Sequence, residues 1–236
     1  MEYQYSLQAF RDRTEGFTTY SLPGNGNFET HPGVRAKVSE SGKMLPFAGN
    51  TIVYELGEEL QQLMKELQNI LYEQCTGMFA ETLISSSCHM TLHDLKNGVP
   101  GDEVYRQVDQ TRIPALDLLQ RIKCENPETV YMRTTRVFNM MNTSVVLGLE
   151  PVDDENCFRL MKMYERFHEI VPLGYGLTPH MTLAYYKPGV YSEGYLYALA
   201  GAFAKCNQKL GQIVELDIEN LHYQEFSDMN HYETIE

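Results

Sequence analysis

Apolar residues recur along this chain with helical spacing in four places and alternate with polar residues in the runs between. One stripe keeps the i, i+3, i+4, i+7 spacing of an amphipathic helix and comprises Leu60, Leu63, Met64, Leu67, Ile70 and Leu71. Shorter stripes predict helices over about 113–122, 158–168 and 196–210. Runs rich in β-branched and aromatic residues predict strands at 51–56, 85–93, 131–141, 144–147, 178–186 and 213–216, with closing strands near 218–226 and 230–235.

The predicted elements follow the order strand, helix, strand, helix, strand, and this order occurs twice. We therefore predict an α+β protein with a single domain over residues 49–236. Its first half spans about 49–141, its second half about 142–218, and closing strands fill 219–236. Residues 1–48 intersperse glycine with proline and predict an irregular N-terminal arm, which is either an ordered surface loop or a lid.

One tetrapeptide, HMTL, occurs at the same point of each half, at residues 89–92 and 180–183. Because side chains alternate between the faces of a strand, His and Thr share one face and Met and Leu the other. The apolar face can enter a core. The other face presents an imidazole and a hydroxyl about 7 Å apart. Two identical copies in matching surroundings favour a functional pair over two unrelated strands.

Two imidazoles and two hydroxyls around one ligand suit acid–base chemistry at a phosphate. A neutral imidazole takes a proton from an attacking hydroxyl or water, and a protonated one gives a proton to the departing oxygen. Thr91 and Thr182 are suited to donate hydrogen bonds to phosphate oxygens. The rival interpretation is a metal site formed by His89 and His93 on a helix, but a strand holds these two about 13 Å apart.

The paired motif resembles that of the two-histidine (2H) phosphoesterases, and residues 43–53 (KMLPFAGNTIV) resemble the opening of one poorly characterised branch. The resemblance covers about 43–236 and implies a bilobal fold, with two pseudo-symmetric halves whose antiparallel sheets face a central cleft and whose helices lie outside. It also implies that His89 and His180 lie on opposite sides of one small ligand and act with Thr91 and Thr182 as catalytic residues. The implied reaction needs no metal or cofactor.

Four further side chains are candidates for substrate binding. Tyr186 shares the strand face of His180 and Thr182, and His93 that of His89 and Thr91 at the rim of the cleft. Asn50 and Tyr54 lie on the strand before the first helix. The alternative is an ordinary strand tyrosine for Tyr186 and an exposed strand end for His93.

The implied activity is the opening of a cyclic (2′,3′-type) or 2′-5′ phosphodiester of a small nucleotide or RNA end. The alternatives are 2′-5′ RNA ligase-like processing and a protein that binds nucleotides without turnover. A net charge of −13, from 19 basic and 32 acidic residues, argues against a broad grip on long nucleic acid.

Composition bounds the remaining properties. The five cysteines form no Cys-x-x-Cys pair and are predicted to be reduced thiols. No apolar run approaches the roughly 20 residues that span a bilayer, and the first residues resemble no signal sequence. We therefore expect a cytoplasmic protein without a membrane partner, whose oligomeric state stays open.

Overall fold

The computed structural model describes residues 6–18, 22–23 and 26–235. Its helices are α1 (Leu7–Thr18), α2 (Glu58–Gln74), α3 (Asp102–Glu125), α4 (Asp154–His168) and α5 (Glu193–Asn207). Its strands are β1 (Phe28–Glu29), β2 (Ala48–Glu55), β3 (His89–Gly98), β4 (Val130–Met140), β5 (Ser144–Pro151), β6 (His180–Tyr185), β7 (Val190–Tyr191), β8 (Ile213–Leu216), β9 (Leu221–Asp228) and β10 (His231–Thr234). Short 3₁₀ helices lie at Pro32–Ala36, Ser85–Ser87 and Ile218–Asn220.

Eight of the strands form one curled antiparallel sheet in the order β10-β9-β2-β3-β6-β5-β4-β8. The α+β class predicted from the sequence is confirmed. The sheets of the two halves are joined edge to edge rather than separate, because β3 and β6 pair at the centre through Met90 and Met181. The two strands that carry the HMTL segments are therefore direct neighbours.

Chain order and spatial order differ at β4 and β9. The predicted strand–helix–strand–helix–strand order runs through β2, α2, β3, α3 and β4, and again through β5, α4, β6, α5 and β8. However, β4 pairs with β5 and β8, while β9 returns to pair with β2. Each side of the sheet thus contains a strand from the other part of the chain, which ties the two parts together.

The main core lies between the sheet and helices α2 to α5. Met90 and Met181, on the opposite strand face from the motif histidines, are both fully buried in it. The stripe predicted for α2 contributes Leu60, Met64 and Leu67, all buried. Among the described residues, no helix is long and apolar enough to cross a membrane.

Helix α3 begins earlier than the sequence indicated. The pair Ile113-Pro114 predicted its start, but the helix begins at Asp102, directly after Gly101, and Pro114 lies inside it. Proline is tolerated there because the residue is exposed, so that the carbonyl it leaves without an amide partner faces water. The first half of the helix is held to β9 by a bidentate ion pair between Arg112 and Glu225.

The N-terminal segment is not irregular throughout, as the sequence had predicted. It contains helix α1, which docks on the second half of the chain. Arg11 makes a bidentate ion pair with Glu150, with nitrogen–oxygen distances of 2.7 and 2.9 Å, and the Leu7 amide donates to Asp154. Most of the glycines and prolines of this segment follow α1, so their pattern predicted the loop after the helix but not the helix itself.

Asn50 is a buried hydrogen-bonding centre of the first half. Its amide nitrogen donates to the Thr111 hydroxyl at 2.9 Å and the Tyr223 hydroxyl at 2.8 Å, and its oxygen accepts from the Lys96 amide at 3.0 Å. One side chain thus connects β2 with α3, β9 and an irregular point of β3. A buried polar network of this kind is stabilising only while every member is paired.

We expect Asn50→Ala to lower the free energy of unfolding by about 2–4 kcal/mol, because it leaves buried polar groups unpaired. Urea denaturation measures the loss. Asn69→Ala is the matched control, since Asn69 is exposed on α2, and it should change stability by no more than about 0.5 kcal/mol. Equal effects of the two substitutions would contradict a structural role for Asn50.

Candidate active site

The two HMTL segments lie side by side at the centre of the sheet and run in opposite directions. Met90 is paired with Met181, and continuing this register by one residue sets His89 across from Thr182 and Thr91 across from His180. In a regular antiparallel pair, residues related diagonally are about 7–8 Å apart, with a somewhat shorter distance between their Cβ atoms. The two histidines are such a diagonal pair and are suited to flank a group of phosphate size.

Each motif strand contains a β-bulge directly after its threonine. In β3, Ile52 and Val53 of the neighbouring strand oppose His93 and Thr91, so Leu92 is the additional residue. In β6, the additional residue is Leu183, between the partners of Val145 and Val146. A bulge of this kind shifts the alternation of all later side chains by one position.

Beyond the motifs, the two bulges change which residues face the cleft. Asp94 and Tyr185 are half-buried and line the cleft, whereas Tyr186 is fully buried on the other face, with its ring centroid 4.9 Å from that of Phe28. The expectation that Tyr186 binds substrate is therefore wrong. Its premise was regular alternation along β6, which the bulge interrupts.

His93 is likewise turned away from the face of His89. Its side chain is 1% exposed and packs against the rings of Tyr164 and His168, at centroid distances of 5.0 and 5.8 Å. It contributes to the wall of the cavity, but both ring nitrogens are buried without a hydrogen-bond partner. Because His89 and His93 project from opposite faces, they do not converge on one ion. The described residues contain no cluster of three potential metal ligands.

The expectations for Asn50 and Tyr54 are also wrong. Both are buried on β2 and neither lines the cavity. Asn50 forms the structural network described above, and the Tyr54 hydroxyl lies 3.3 Å from the sulfur of Met163 on α4. Strand β2 lies between β3 and β9, and all of its residues except Glu55 are buried.

The motif residues open into a cavity of about 640 Å³. Lining residues that the sequence did not single out come from segments distant in the chain and include Arg13, Lys37, Asp94, Tyr175, Tyr185 and Tyr232. No periodic signal marks them, because the bulges turn Asp94 and Tyr185 into the cleft and long-range docking brings in the others. Arg13 comes from α1, Lys37 from the segment after the first 3₁₀ helix, Tyr175 from the loop before β6 and Tyr232 from the closing hairpin.

Both motif histidines are held by the backbone two residues earlier. His180 Nδ1 lies 2.7 Å from the Thr178 carbonyl, and the Ser87 backbone interacts in the corresponding way with His89. A carbonyl only accepts, so Nδ1 of His180 must carry the hydrogen. In the neutral ring, Nε2 is then the free acceptor.

Burial makes the charged form of both rings unfavourable. It lowers the pKa of His89 to about 4, a shift that the Ser87 backbone opposes and the nearby His180 reinforces. Burial also lowers the pKa of His180, but here the Thr178 carbonyl and the Asp94 carboxylate oppose the shift, and Lys37 adds to it. The two rings are thus identical in sequence motif and different in electrostatic setting.

The cleft also presents groups that are ready to bind an anion. Within the described part of the chain, the hydroxyls of Thr91 and Thr182 and the ammonium of Lys37 make no hydrogen bond or ion pair. The Lys37 ammonium lies 4.8 Å from the ring centroid of Phe47 and 5.6 Å from that of Tyr185. Cation–π contacts hold it in place without neutralising its charge.

Comparison with known proteins identifies similar structures. No family model and no curated protein matches the sequence. A conserved protein of unknown function from Agrobacterium tumefaciens strain C58, ATU0111, matches 95% of this chain and 97% of its own at 16% identity, with a TM-score of 0.64. TT0787 of Thermus thermophilus matches 80% of this chain and 95% of its own at 13% identity, with a TM-score of 0.51. Apo LigT of Escherichia coli matches more loosely, with a TM-score of 0.45, 12% identity and coverage of 81% and 96%.

At these identities the likenesses concern the fold alone. The chain is an α+β protein whose curled antiparallel sheet presents two motif strands at the base of a cleft. This fold is shared with ATU0111 and TT0787.

Buried His93 generates a prediction for stability. Burial lowers its pKa to about 4, and contact with the Asp94 backbone offsets this only in part. Above pH 6.5 the native and unfolded rings are both neutral. As the pH falls from 6.5 to 4 the unfolded ring gains a proton and the native ring does not, so about 3 kcal/mol of stability is lost.

We therefore expect His93→Phe to be at least as stable as the parent at pH 7, since it removes two unpaired buried nitrogens. Its advantage should grow by about 3 kcal/mol between pH 6.5 and 4. Urea denaturation across this pH range measures both quantities. A parallel pH dependence in parent and variant would show that His93 is not a source of acid instability.

Proposed function

We propose that this protein is a metal-independent phosphoesterase that opens a cyclic (2′,3′-type) or 2′-5′ phosphodiester of a small nucleotide or RNA end. The observation that carries the proposal is the antiparallel pairing of Met90 with Met181. Through it, two imidazoles and two hydroxyls meet at the base of one cavity. A metal or an organic cofactor is not required by this chemistry.

The proposed reaction is an in-line attack at phosphorus between the two rings. One imidazole accepts a proton from the attacking water as the new P–O bond forms. The other donates a proton to the ribose oxygen as the old P–O bond breaks, so that one water is added across the ester. Donation by Nδ1 to a carbonyl leaves Nε2 of His180 for the reacting oxygen.

The transition state gains negative charge, and the cleft holds donors for it. Thr91 and Thr182 are suited to donate to the non-bridging oxygens, since neither hydroxyl is bound to another group in the described residues. Lys37 supplies a positive charge at the wall of the cavity. Binding of the anion itself favours the protonated form of the acid, whose pKa burial had lowered.

The size and charge of the molecule support a small substrate. A cavity of about 640 Å³ falls within the range of small-molecule sites. With a net charge of −13, the surface beyond the cleft should repel a long polyanion. A mononucleotide or an RNA end fits inside the cavity, where the local donors act on it directly.

Removal of either histidine should abolish most turnover. We expect His89→Ala and His180→Ala each to lower kcat/KM by about 10²–10⁴-fold, and the double variant to be scarcely worse, because the two rings act as one unit. Thr91→Val and Thr182→Val should each cost about 10²-fold or less. Turnover of 2′,3′-cyclic nucleotides in EDTA measures these effects.

His31→Gln is the control for this series, since His31 is exposed and does not line the cavity. Full activity in either motif single variant would overturn the mechanism. Tight nucleotide binding by the parent without turnover would instead establish a binding protein.

The lowered histidine pKa values predict an acidic optimum. The profile of kcat/KM reports groups of the free enzyme, so activity should rise as the base loses its proton and fall as the acid loses its own. Both pKa values lie below 6.5, that of His89 near 4, and the maximum is therefore expected below pH 6.5. Steady-state rates between about pH 3.5 and 8 locate both limbs.

Lys37→Met tests which limb of the pH profile of kcat/KM belongs to His180. Lys37 lowers the pKa of His180, so the limb that belongs to His180 should move to higher pH in this variant. A maximum above neutrality in the parent would contradict the histidine pair as the titrating groups.

A further inference from the structure

The symmetry between the two motif strands ends at the residue after each bulge. The third cleft-facing residue of β3 is Asp94, and its counterpart on β6 is Tyr185. One is a carboxylate and the other a neutral phenol with the Lys37 ammonium over its ring. The two ends of the cleft therefore differ in charge, although both follow the same tetrapeptide.

Asp94 belongs to the end of the cleft that contains His180. In the register set by Met90 and Met181, His180 lies across from Thr91, and Asp94 is the next residue on that face. The carboxylate is held by the Tyr175 hydroxyl at 3.2 Å. His89 lies toward the other end, with its ring centroid 4.7 Å from that of Tyr232.

We propose that Asp94 is a positioning residue that favours protonation of His180 over that of His89, so that His180 is the general acid and His89 the general base of the cleft. This assignment rests on the proposed function for its chemical meaning. The asymmetry itself is a property of the free protein. The placement of a carboxylate beside only one of two equivalent imidazoles is what distinguishes their roles.

The other charged groups around His180 do not cancel the effect of Asp94 on its protonation. On β3 it faces Asp94 and the ring of His89, and from the N-terminal segment it faces Lys37. The Asp94 carboxylate raises the pKa of His180, and Lys37 lowers it by a smaller amount. The guanidinium of Arg13, on α1, is engaged by the Leu177 carbonyl.

Substrate binding should strengthen the difference between the rings. An anionic ester that contacts Lys37 compensates the positive charge of this residue, which opposes protonation of His180. The proton then resides on His180 beside Asp94 and is transferred to the departing ribose oxygen. In the same step, His89 takes the proton of the attacking water, and proton transfers and bond changes balance.

The first test is an NMR titration of histidine side chains in the free protein, with His89→Gln and His180→Gln used for assignment. We expect Asp94→Asn to lower the pKa of His180 by about one unit and to change that of His89 by much less. Asp94→Glu should preserve the parent value. Asp94→Asn retains an oxygen for the Tyr175 hydroxyl, so the fold should persist. Asp117→Asn, at an exposed site on α3, is the matched control.

The second test separates acid from base by the leaving group. A nucleoside p-nitrophenyl phosphate releases a phenolate that needs no proton, unlike the ribose oxygen of a 2′,3′-cyclic nucleotide. We expect His180→Ala to retain at least ten times more relative activity on the p-nitrophenyl ester than on the cyclic nucleotide, whereas His89→Ala loses activity on both.

The results of the two tests distinguish the assignment from its alternatives. The assignment is supported if Asp94→Asn lowers the pKa of His180 selectively and if the p-nitrophenyl ester restores activity to His180→Ala but not to His89→Ala. The assignment is overturned if Asp94→Asn changes the pKa of His89 as much as or more than that of His180, or if the p-nitrophenyl ester restores activity to His89→Ala. Absence of turnover in the parent with the selective shift intact would count against the proposed reaction while leaving the effect of Asp94 on His180 established.

Discussion

A single antiparallel contact, between Met90 and Met181, sets the geometry on which the cleft depends. Both methionines are fully buried against the helices, and their strands therefore present His and Thr to the opposite face. A slip of one residue in either strand would turn its motif into the core. Apolar burial on one face thus fixes the position of the polar groups on the other.

The interleaved strands explain how two weakly joined half-sheets form one stable platform. The contact between β3 and β6 is short, but β4 and β9 each join the sheet on the side away from the strand that precedes them in the chain. Neither part of the chain can therefore complete its sheet alone. A cleft at this seam receives one imidazole from each part and is assembled only when both have folded.

The cleft contains a local positive charge, although the protein as a whole has a net charge of −13. Lys37 keeps its charge between aromatic rings, and the two threonine hydroxyls have no competing partner in the described residues. The half-buried imidazoles have lowered pKa values, and a bound anion raises them because its charge offsets part of the cost of protonation. The bulges then differentiate two otherwise equivalent histidines by placing Asp94 near only one of them.

The sequence by itself determined the α+β class, the repeated order of elements and the two motif strands, because apolar periodicity and an exact tetrapeptide repeat are local signals. Tertiary structure alone decided which neighbours join the motif. Regular alternation assigned Tyr186 and His93 to the face of the motif histidines, but bulges at Leu183 and Leu92 put Tyr185 and Asp94 there. His93 instead packs against α4 in the wall of the cavity. A bulge is stabilised by pairing with the adjacent strand, and residues such as Lys37 arrive through long-range docking, so neither leaves a periodic trace in the chain.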